Sequence, residues 1–110
     1  MTTRRSVVII SNIKAELLLD ERRNIADDRF VEVVVWQVKQ PVRGSAHLYR
    51  YRLAFVVMGI CVLRYDNEAG KGDHRHTRAR ESAYGFDSPD KLIHDFLRDV
   101  RRIHREDSDS

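Results

Sequence analysis

The sequence predicts an α+β domain in which an antiparallel sheet of about four or five strands packs against one C-terminal helix. Segments rich in valine and aromatic residues dominate the first part of the chain, as they do in strands. Glycine, proline and aspartate mark turns between those segments. The end of the chain has the spacing of an amphipathic helix. With 110 residues the chain is long enough for one core, so we expect a single domain.

The first strands are predicted from composition and from the turns between them. Residues 7–10 form a short β-prone run that is either an edge strand or an extension before the domain. Residues 15–20 are ambiguous between strand and helix. We interpret them as a strand because a long β segment follows and because Asp27-Asp28 is typical of a turn. Residues 30–38, with five valines and two aromatic residues, are typical of a largely buried strand.

The next two strands, over residues 48–57 and 60–66, are predicted to form a hairpin. They flank Met58-Gly59, which suits a two-residue turn because glycine tolerates a positive φ. In the simplest register, Leu53 lies opposite Arg64. The residues that then share a face are Arg50, Arg52, Ala54, Val56, Cys61, Leu63 and Tyr65.

The final element is predicted to be a helix that ends near residue 105. Ser88 can cap this helix, Pro89 suits its first position and Asp90 complements its positive end. Apolar residues recur at helical spacing and are expected to face the sheet. These residues are Leu92, Ile93, Phe96, Leu97, Val100 and Ile103.

The domain is expected to span residues 14–105, after an N-terminal extension or edge strand over residues 1–13 and before a disordered tail over residues 106–110. Cys61 is the single cysteine, so no internal disulfide can form and a buried thiol is expected. No run approaches the roughly 20 apolar residues that cross a bilayer, and the N-terminal apolar run is too short for a signal peptide. We therefore expect a cytoplasmic protein.

Clusters of basic residues point to a polyanionic partner. The chain has 20 Lys and Arg residues and a formal net charge of +3. Residues 71–80 include four cations and one acid, and residues 98–105 include four arginines and one acid. Such clusters attract polyanions, which makes nucleic acid the leading partner class. The alternative is that the clusters are solvated faces that keep a small protein soluble.

The segment over residues 65–76 is the candidate functional loop, because it combines two imidazoles with acids, cations and two glycines. Imidazole suits both proton-transfer roles, since its unperturbed pKa of about 6.5 lies near working pH. On an extended backbone, His74 and His76 would project to one side about 6.6 Å apart, from two rises of about 3.3 Å. Such a pair can flank a scissile phosphate, which predicts metal-independent RNA cleavage.

The other residues of this loop and of the hairpin are assigned supporting roles. The candidate catalytic residues are His74, His76, Lys71, Asp73 and Arg75. The cations would stabilise the phosphorane, and Asp73 or Asp66 would orient an imidazole. The candidate nucleic-acid-binding residues are Arg50, Arg52, Arg64, Tyr65, Arg78 and Arg80, with Tyr65 either stacking on a base or supplying a hydroxyl. This reaction needs no cofactor. We interpret His47 as a surface or capping residue, and Trp36 and Tyr49 as core aromatics.

The chain also resembles the TumE family, the toxin halves of bacterial toxin–antitoxin pairs. The resemblance is carried by Tyr51-Arg52-Leu53-Ala54-Phe55, by Arg64-Tyr65-Asp66-Asn67-Glu68 and by Lys71-Gly72-Asp73-His74-Arg75-His76. It extends over roughly residues 14–102. After His76, a basic stretch replaces the glycine-bearing, acid-rich one that the family leads us to expect. The resemblance implies a growth-inhibiting toxin neutralised by a cognate antitoxin, typically a helix-turn-helix protein.

Two other modes of action stay open beside the endoribonuclease hypothesis. The His-x-His pair with Asp73, Asp66 or Glu68 could bind zinc or manganese and make a metal-dependent nuclease, although the neighbouring cations would repel a divalent ion. A non-catalytic toxin could instead block a ribosomal or other nucleic-acid site by binding alone. A homodimer is an option if the valine-rich strand lies at an edge of the sheet.

Overall fold

The structure, a computed structural model, describes residues 7–10 and 13–108, which form one seven-stranded antiparallel sheet with a single helix packed against it. The strands are β1 (Val7–Ile10), β2 (Ile13–Ala26), β3 (Arg29–Val38), β4 (Tyr49–Val57), β5 (Ile60–Asp66), β6 (His74–Thr77) and β7 (Glu81–Ala83), and the helix is α1 (Pro89–Ser108). Each strand pairs with the next one along the chain. The α+β prediction is confirmed, but about four or five strands was too few, because short strands were missed at the end of the sheet.

The first three strands form a continuous meander. The strand interpretation of residues 15–20 is correct, and β2 extends beyond them because it pairs with β3 along most of its length. The predicted turn at Asp27-Asp28 joins these two strands, and the Asp28 carbonyl accepts a hydrogen bond from the Met58 amide at 2.7 Å. Residues 7–10 form the edge strand β1. Residues 1–6 and 11–12 of the expected extension lie outside the described residues.

Helix α1 begins as the sequence predicts. Ser88 caps it, since its Oγ accepts a hydrogen bond from the Lys91 amide at 3.1 Å. The helix continues to Ser108, through residues that we had assigned to a disordered tail. Its last turn is held to the sheet by Asp107, whose carboxylate accepts a hydrogen bond from Arg29 at 3.1 Å. Residues 109–110 of the expected tail lie outside the described part of the chain.

The β4–β5 hairpin has the predicted turn but a different register. Val57 pairs with Ile60 as expected, and Met58 and Gly59 both have a positive φ. The pairing then shifts by one residue, so Leu53 lies opposite Tyr65 and not opposite Arg64. The predicted register is therefore wrong beyond this shift. The irregularity keeps Tyr65 on the core side of the sheet, where burial of its ring favours the observed pairing.

The sheet has one face covered by α1 and one face that α1 leaves open. The covered face supplies the core, which includes Val33, Val35, Tyr51, Leu53, Phe55, Leu63 and Tyr65 against Leu92, Phe96 and Val100 of the helix. The opposite face, called the open face below, carries Trp36, Arg50, Arg52, Arg64, Asp66, His74, His76 and Glu81, which follow one another as cross-strand partners. Alternation along each strand thus separates the core from a charged surface.

Two single-residue predictions need correction. Cys61, expected as a buried thiol, is exposed, because it sits beside the register shift close to the hairpin turn. Trp36, expected in the core, is half-buried on the open face opposite Arg50. No described helix is long and apolar enough to cross a membrane.

Candidate active site

The loop before β6, which leads to the histidines, packs against the loop between β3 and β4. Gly44 and Gly72 have φ of +88° and +90°, and a Cβ built on Gly44 would lie 2.5 Å from the Gly72 nitrogen. Only glycine fits this approach without displacing backbone. The fully buried Asn67 fastens the same region to β4, accepting a hydrogen bond from the Tyr51 amide at 3.0 Å and donating one to the Tyr49 carbonyl at 2.7 Å. The approach to β6 is therefore fixed by backbone packing and buried hydrogen bonds.

The Asp73 carboxylate is a structural hub. It accepts hydrogen bonds from Ser45 Oγ at 2.8 Å, Tyr51 Oη at 2.6 Å and His47 Nε2 at 2.7 Å. His47 Nδ1 accepts the Tyr49 amide at 3.2 Å, so Nε2 of the neutral ring carries the proton that is donated to Asp73. Asp73 thus orients the imidazole of His47, and not that of His74 or His76 as the sequence had suggested.

The ring of Phe86 packs on His47 and Tyr51, which both donate to Asp73. The His47 ring stacks on Phe86 with centroids 3.7 Å apart, so of the two expected roles, surface or capping residue, the first is wrong. The hydrogen bond that it accepts from the Tyr49 amide agrees with the second. Burial, together with the hydrogen bond to Asp73, raises the pKa of Tyr51 far above that of free tyrosine. Tyr51 therefore stays a neutral donor to the carboxylate at any ordinary pH.

Strand β6 places both predicted histidines on the open face. The ring centroids of His74 and His76 lie 6.2 Å apart, close to the spacing expected from an extended backbone. His74 Nδ1 lies 2.9 Å from the Gly72 carbonyl oxygen, and because a carbonyl only accepts, Nδ1 carries a proton. In the neutral ring, His74 Nε2 then has a free lone pair on the open face.

Glu81 is the residue of this site that sequence reasoning missed. Its Oε2 atom lies 3.7 Å from His74 Nε2, 3.6 Å from His76 Nε2 and 3.6 Å from Lys71 Nζ. Three nitrogen atoms thus converge on one anionic oxygen. The pairing of β7 with β6 brings Glu81 opposite His76, and the sequence offers little signal for a strand as short as β7.

Three predicted arginines share the open face with the histidines. Arg64 Nε donates to Asp66 Oδ2 at 2.6 Å, and Asp66 lies directly opposite His74. Arg52 is exposed and lies opposite Asp66 on the other side. Arg50 pairs with Glu68 at 3.3 Å. The open face therefore carries cations on the strands that lead up to the imidazoles.

The side chains of Arg75 and Tyr65 lie on the face of the sheet that α1 covers, opposite to the face that carries His74 and His76. Arg75 Nε donates to Asp99 Oδ2 at 2.8 Å, and Tyr65 Oη donates to the same oxygen at 2.5 Å. Tyr65 is 1% exposed, so the prediction that it stacks on a base is wrong. Its position follows from the register shift of the hairpin, which turns its ring into the core.

The pKa values of this cluster reflect burial and hydrogen bonding. Burial, with the hydrogen bond to Asp99, raises the pKa of Tyr65 to about 12. Burial alone would raise the pKa of Asp99, but hydrogen bonds from Tyr65 and Arg75 and the Arg75 charge outweigh it, and the pKa is lowered. Asp99 is therefore an ionised carboxylate that holds Arg75 against the helix.

A second tyrosine–aspartate pair anchors the start of the helix. Tyr84 Oη and Lys91 Nζ donate to Asp95 Oδ2 at 2.7 Å and 2.8 Å. Burial raises the pKa of Tyr84, and the hydrogen bonds from Lys91 and Tyr84 lower that of Asp95 although burial opposes them. Tyrosine–aspartate hydrogen bonds thus surround the site at Tyr51–Asp73, Tyr65–Asp99 and Tyr84–Asp95. They are structural contacts that keep β6, β7 and α1 in place.

Arg78 and Arg80 lie apart from the histidines, at the tip of the β6–β7 hairpin. Together with Arg75 and Arg102 they line a groove of about 390 Å³, called the arginine groove below, between this hairpin and the last turns of α1. Among the described residues, no group of three or more His, Cys, Asp or Glu side chains is arranged to hold a metal ion. The candidate site is thus a histidine pair on one face and a guanidinium cluster beside it.

Fold and site together define a small α+β protein in which a strand with two histidines lies next to the edge of an antiparallel sheet. Residues 6–104 match the family described as Toxin TumE, and the chain belongs to this family. The resemblance drawn from the sequence is thereby confirmed. Membership in a toxin family implies a cognate antitoxin as partner. Searches of the curated proteins and of the solved structures found no match.

Proposed function

We propose that this toxin inhibits growth by cleaving RNA, as a metal-independent endoribonuclease that uses His74 and His76. One observation carries the proposal, namely that His74 Nε2, His76 Nε2 and Lys71 Nζ all lie within 3.7 Å of a single anionic oxygen of Glu81. A phosphate oxygen that took this position would contact two proton-transfer groups and a cation at once.

His74 is the general base of the proposed reaction. The hydrogen bond from its Nδ1 to Gly72 leaves the Nε2 lone pair of the neutral ring free to take a proton. That nitrogen would take the proton of the ribose 2′-hydroxyl, whose oxygen then attacks the adjacent phosphorus. The P–O5′ bond breaks, and the products are a 2′,3′-cyclic phosphate and a 5′-hydroxyl end.

His76 is the general acid of the same step. It enters the reaction protonated and gives its Nε2 proton to the leaving 5′-oxygen, which it can reach across the 6.2 Å between the two rings. Lys71 would stabilise the charge that develops on the phosphorane, with Arg64 from the neighbouring strand. Asp73 and Arg75 have no place among these groups, because their side chains are engaged in the hub and with Asp99.

The open face supplies the path for the RNA substrate. Arg50 and Arg52 lie on β4 of the same face, and Trp36 is half-buried opposite Arg50. Arginine binds phosphate and stacks on bases, and tryptophan offers a ring for stacking, which suits a single strand laid across the sheet. The cognate antitoxin, for which the family resemblance suggests a helix-turn-helix protein, would neutralise the toxin.

A second candidate function is a toxin that binds nucleic acid without cutting it. The arginine groove favours this candidate, because it is basic and lies away from the imidazoles. It predicts an RNA-binding protein in which the histidines are dispensable. Metal-dependent cleavage is the third alternative, and it predicts activity only when a divalent ion is supplied.

The experiment that separates these candidates is an RNA-integrity assay with purified protein in EDTA. The variants are His74→Ala, His76→Ala and, as matched control, His94→Ala, whose imidazole is 71% exposed on α1. We expect the wild type and the control to cleave, and each site variant to lose about 10²- to 10⁴-fold in rate. The products of the active proteins should end in a 2′,3′-cyclic phosphate.

Each of the other outcomes supports another candidate function or contradicts the proposal. Cleavage that appears only after manganese or zinc is added would replace acid–base chemistry by a metal site. RNA that stays intact under both conditions, yet is bound, would favour the non-catalytic toxin. Equal cleavage by the wild type and the histidine variants would contradict the assignment of His74 and His76.

A further inference from the structure

The arginine groove gathers four arginines close to the candidate active site. Arg75 forms part of its wall, Arg78 and Arg80 come from the hairpin tip, and Arg102 comes from α1. The Arg78 and Arg102 side chains are 56% and 44% exposed. Arg80 has no carboxylate within 4.0 Å among the described residues, and the Arg78–Asp107 contact is as long as 3.9 Å. Arg75 pairs with Asp99 at 2.8 Å, and Arg102 pairs with Asp99 and Glu106 at 3.6 Å. The positive charge left for a ligand is therefore mainly that of Arg78 and Arg80.

The floor of the groove is not charged. Val62 and Ile103 contribute apolar surface between the guanidinium groups, and both are buried core residues. Glu106 is the one acidic side chain that lines the groove. A ligand that fits this surface is an extended anion with repeated negative charges and less polar parts between them.

We infer that the arginine groove binds the phosphodiester backbone of the RNA strand that flanks the scissile phosphate. This inference rests on the proposed function, and it adds a second binding site to it. The groove joins the histidine site through the β6–β7 hairpin, in which Arg78 and Arg80 lie two and four positions after His76. The hairpin turn is closed between Thr77 and Arg80, and the next cross-strand pair is His76 with Glu81, so the turn that carries both arginines adjoins His76.

Continuity with the histidines favours RNA over an acidic polypeptide. Guanidinium groups pair with both carboxylates and phosphates, so charge alone does not select the ligand. A strand that crosses the open face and passes around the hairpin would contact the imidazoles first and the groove next. Of the two ligands, only a nucleic acid carries the phosphate esters that suit the histidine pair, so only a nucleic acid would occupy both sites.

The test measures binding separately from cleavage. Affinity and its salt dependence are measured with the whole chain carrying His74→Ala and His76→Ala, so that a labelled single-stranded oligoribonucleotide of about twelve nucleotides stays intact. The groove variant adds Arg78→Gln and Arg80→Gln. The control variant adds Arg23→Gln and Lys39→Gln, which remove the same charge at exposed positions outside the groove and outside the cations of the open face named above.

The groove variant is expected to fold, because hydrogen bonds of the backbone and of the Thr77 hydroxyl hold its turn. Thr77 Oγ1 accepts the Ala79 and Arg80 amides at 3.3 Å, and the Thr77 amide donates to the Arg80 carbonyl at 2.8 Å. Neither contact uses a guanidinium group. Circular dichroism and thermal unfolding of both variants, recorded beside the parent, would verify this.

The expected result is a loss of RNA affinity in the groove variant alone. Losing two phosphate contacts lowers the slope of log K against log salt by about 1.4, from about 0.7 per contact on a single strand, and weakens binding about 10-fold near 0.15 M salt. Equal affinities and slopes in the groove and control variants would overturn the inference. So would a groove variant that keeps its RNA affinity but loses affinity for poly-glutamate, which would make the groove a site for acidic polypeptide.

The same proteins with intact histidines keep this inference distinct from the proposed function. If neither protein cleaves RNA while the groove variant still binds it about 10-fold more weakly, the catalytic proposal fails and the groove assignment stands. If the wild type cleaves and the groove variant cleaves with an unchanged KM for the oligonucleotide, the groove assignment fails.

Discussion

His74 Nδ1 lies 2.9 Å from the carbonyl oxygen of Gly72, and this contact determines which nitrogen of the ring faces the open side of the sheet with a lone pair. His47 shows the opposite arrangement, because its Nδ1 accepts the Tyr49 amide at 3.2 Å. When the two rings are neutral, these contacts place the proton on Nδ1 of His74 and on Nε2 of His47. One is suited to take a proton from a ligand, and the other is committed to the hub around Asp73.

This contrast gives the first prediction. Long-range ¹H–¹⁵N spectra, recorded at a pH high enough to make the imidazoles neutral, should show the Nδ1–H tautomer for His74 and the Nε2–H tautomer for His47. Each ring serves as the control for the other, since both are recorded in one sample. The same tautomer in both rings would contradict the assignment and remove the reason for making His74 the general base.

The second prediction concerns Asp73, which the sequence placed among the catalytic residues. Asp73→Asn should lower the free energy of unfolding by about 2–3 kcal/mol, because the amide cannot accept from Ser45, His47 and Tyr51 as the carboxylate does. Urea unfolding measures this loss. The matched control, Asp20→Asn on the exposed part of β2, should change stability by no more than about 0.5 kcal/mol. Unchanged stability with lost cleavage would restore Asp73 as a catalytic group.

The third prediction tests the contact between the two loops. Gly44→Ala should destabilise the protein by at least about 2 kcal/mol, because φ is +88° and the new Cβ would lie 2.5 Å from the Gly72 nitrogen. Gly85→Ala is the control, since nothing lies within 4 Å of its built Cβ, and it should change stability by less than about 1 kcal/mol. Equal effects of the two substitutions in denaturant unfolding would show that the loops can separate at little cost.

The sequence was sufficient for the local features of this fold. The Met58-Gly59 turn, the Ser88 cap and the shared face of His74 and His76 depend on residues close in the chain, where turn chemistry, capping and strand alternation act. The register shift inside the β4–β5 hairpin was not predictable in this way. It is set by competition for the core, which moves Tyr65 inward.

Contacts between distant residues account for most of what was missed in the site. Asp73 meets His47 and Tyr51 across 26 and 22 positions of the sequence, and Arg75 meets Asp99 across 24. In the sequence, all five of these charged or titratable residues look like free members of a functional loop or surface. Only the packed fold shows that Asp73 and Arg75 are engaged in structural contacts, whereas His74 and His76 face the open side of the sheet.

The fourth prediction follows from the lowered pKa of Asp99. A carboxylate whose pKa is lower in the folded state stabilises the fold above its unfolded pKa of about 3.9, and this contribution is lost as pH falls through the folded value. The stability difference between the wild type and Asp99→Asn should therefore be full above about pH 5 and shrink on acidification. Unfolding free energies over this range measure it. A difference that does not vary with pH would mean that the carboxylate charge does not hold Arg75 and Tyr65.

The last prediction concerns Glu81, the anion that faces both imidazoles. If an RNA phosphate takes the position of its carboxylate, then Glu81→Gln removes a competing charge and should tighten binding of a single-stranded oligodeoxynucleotide, which cannot be cleaved through a 2′-hydroxyl. A unit charge at about 4 Å is worth about 1 kcal/mol in water, so a gain of about 5-fold in affinity is expected.

Glu32→Gln is the matched control for this experiment. Its side chain is 39% exposed, as that of Glu81 is, and it lies on the open face of β3, four strands from β7. That separation is about 19 Å at about 4.8 Å per strand, well beyond the screening length of about 8 Å at physiological salt. The control should therefore leave affinity nearly unchanged. Weaker binding by Glu81→Gln in fluorescence anisotropy would contradict the competition, because it would mean that Glu81 helps the histidines to bind RNA and does not occupy the place of its phosphate.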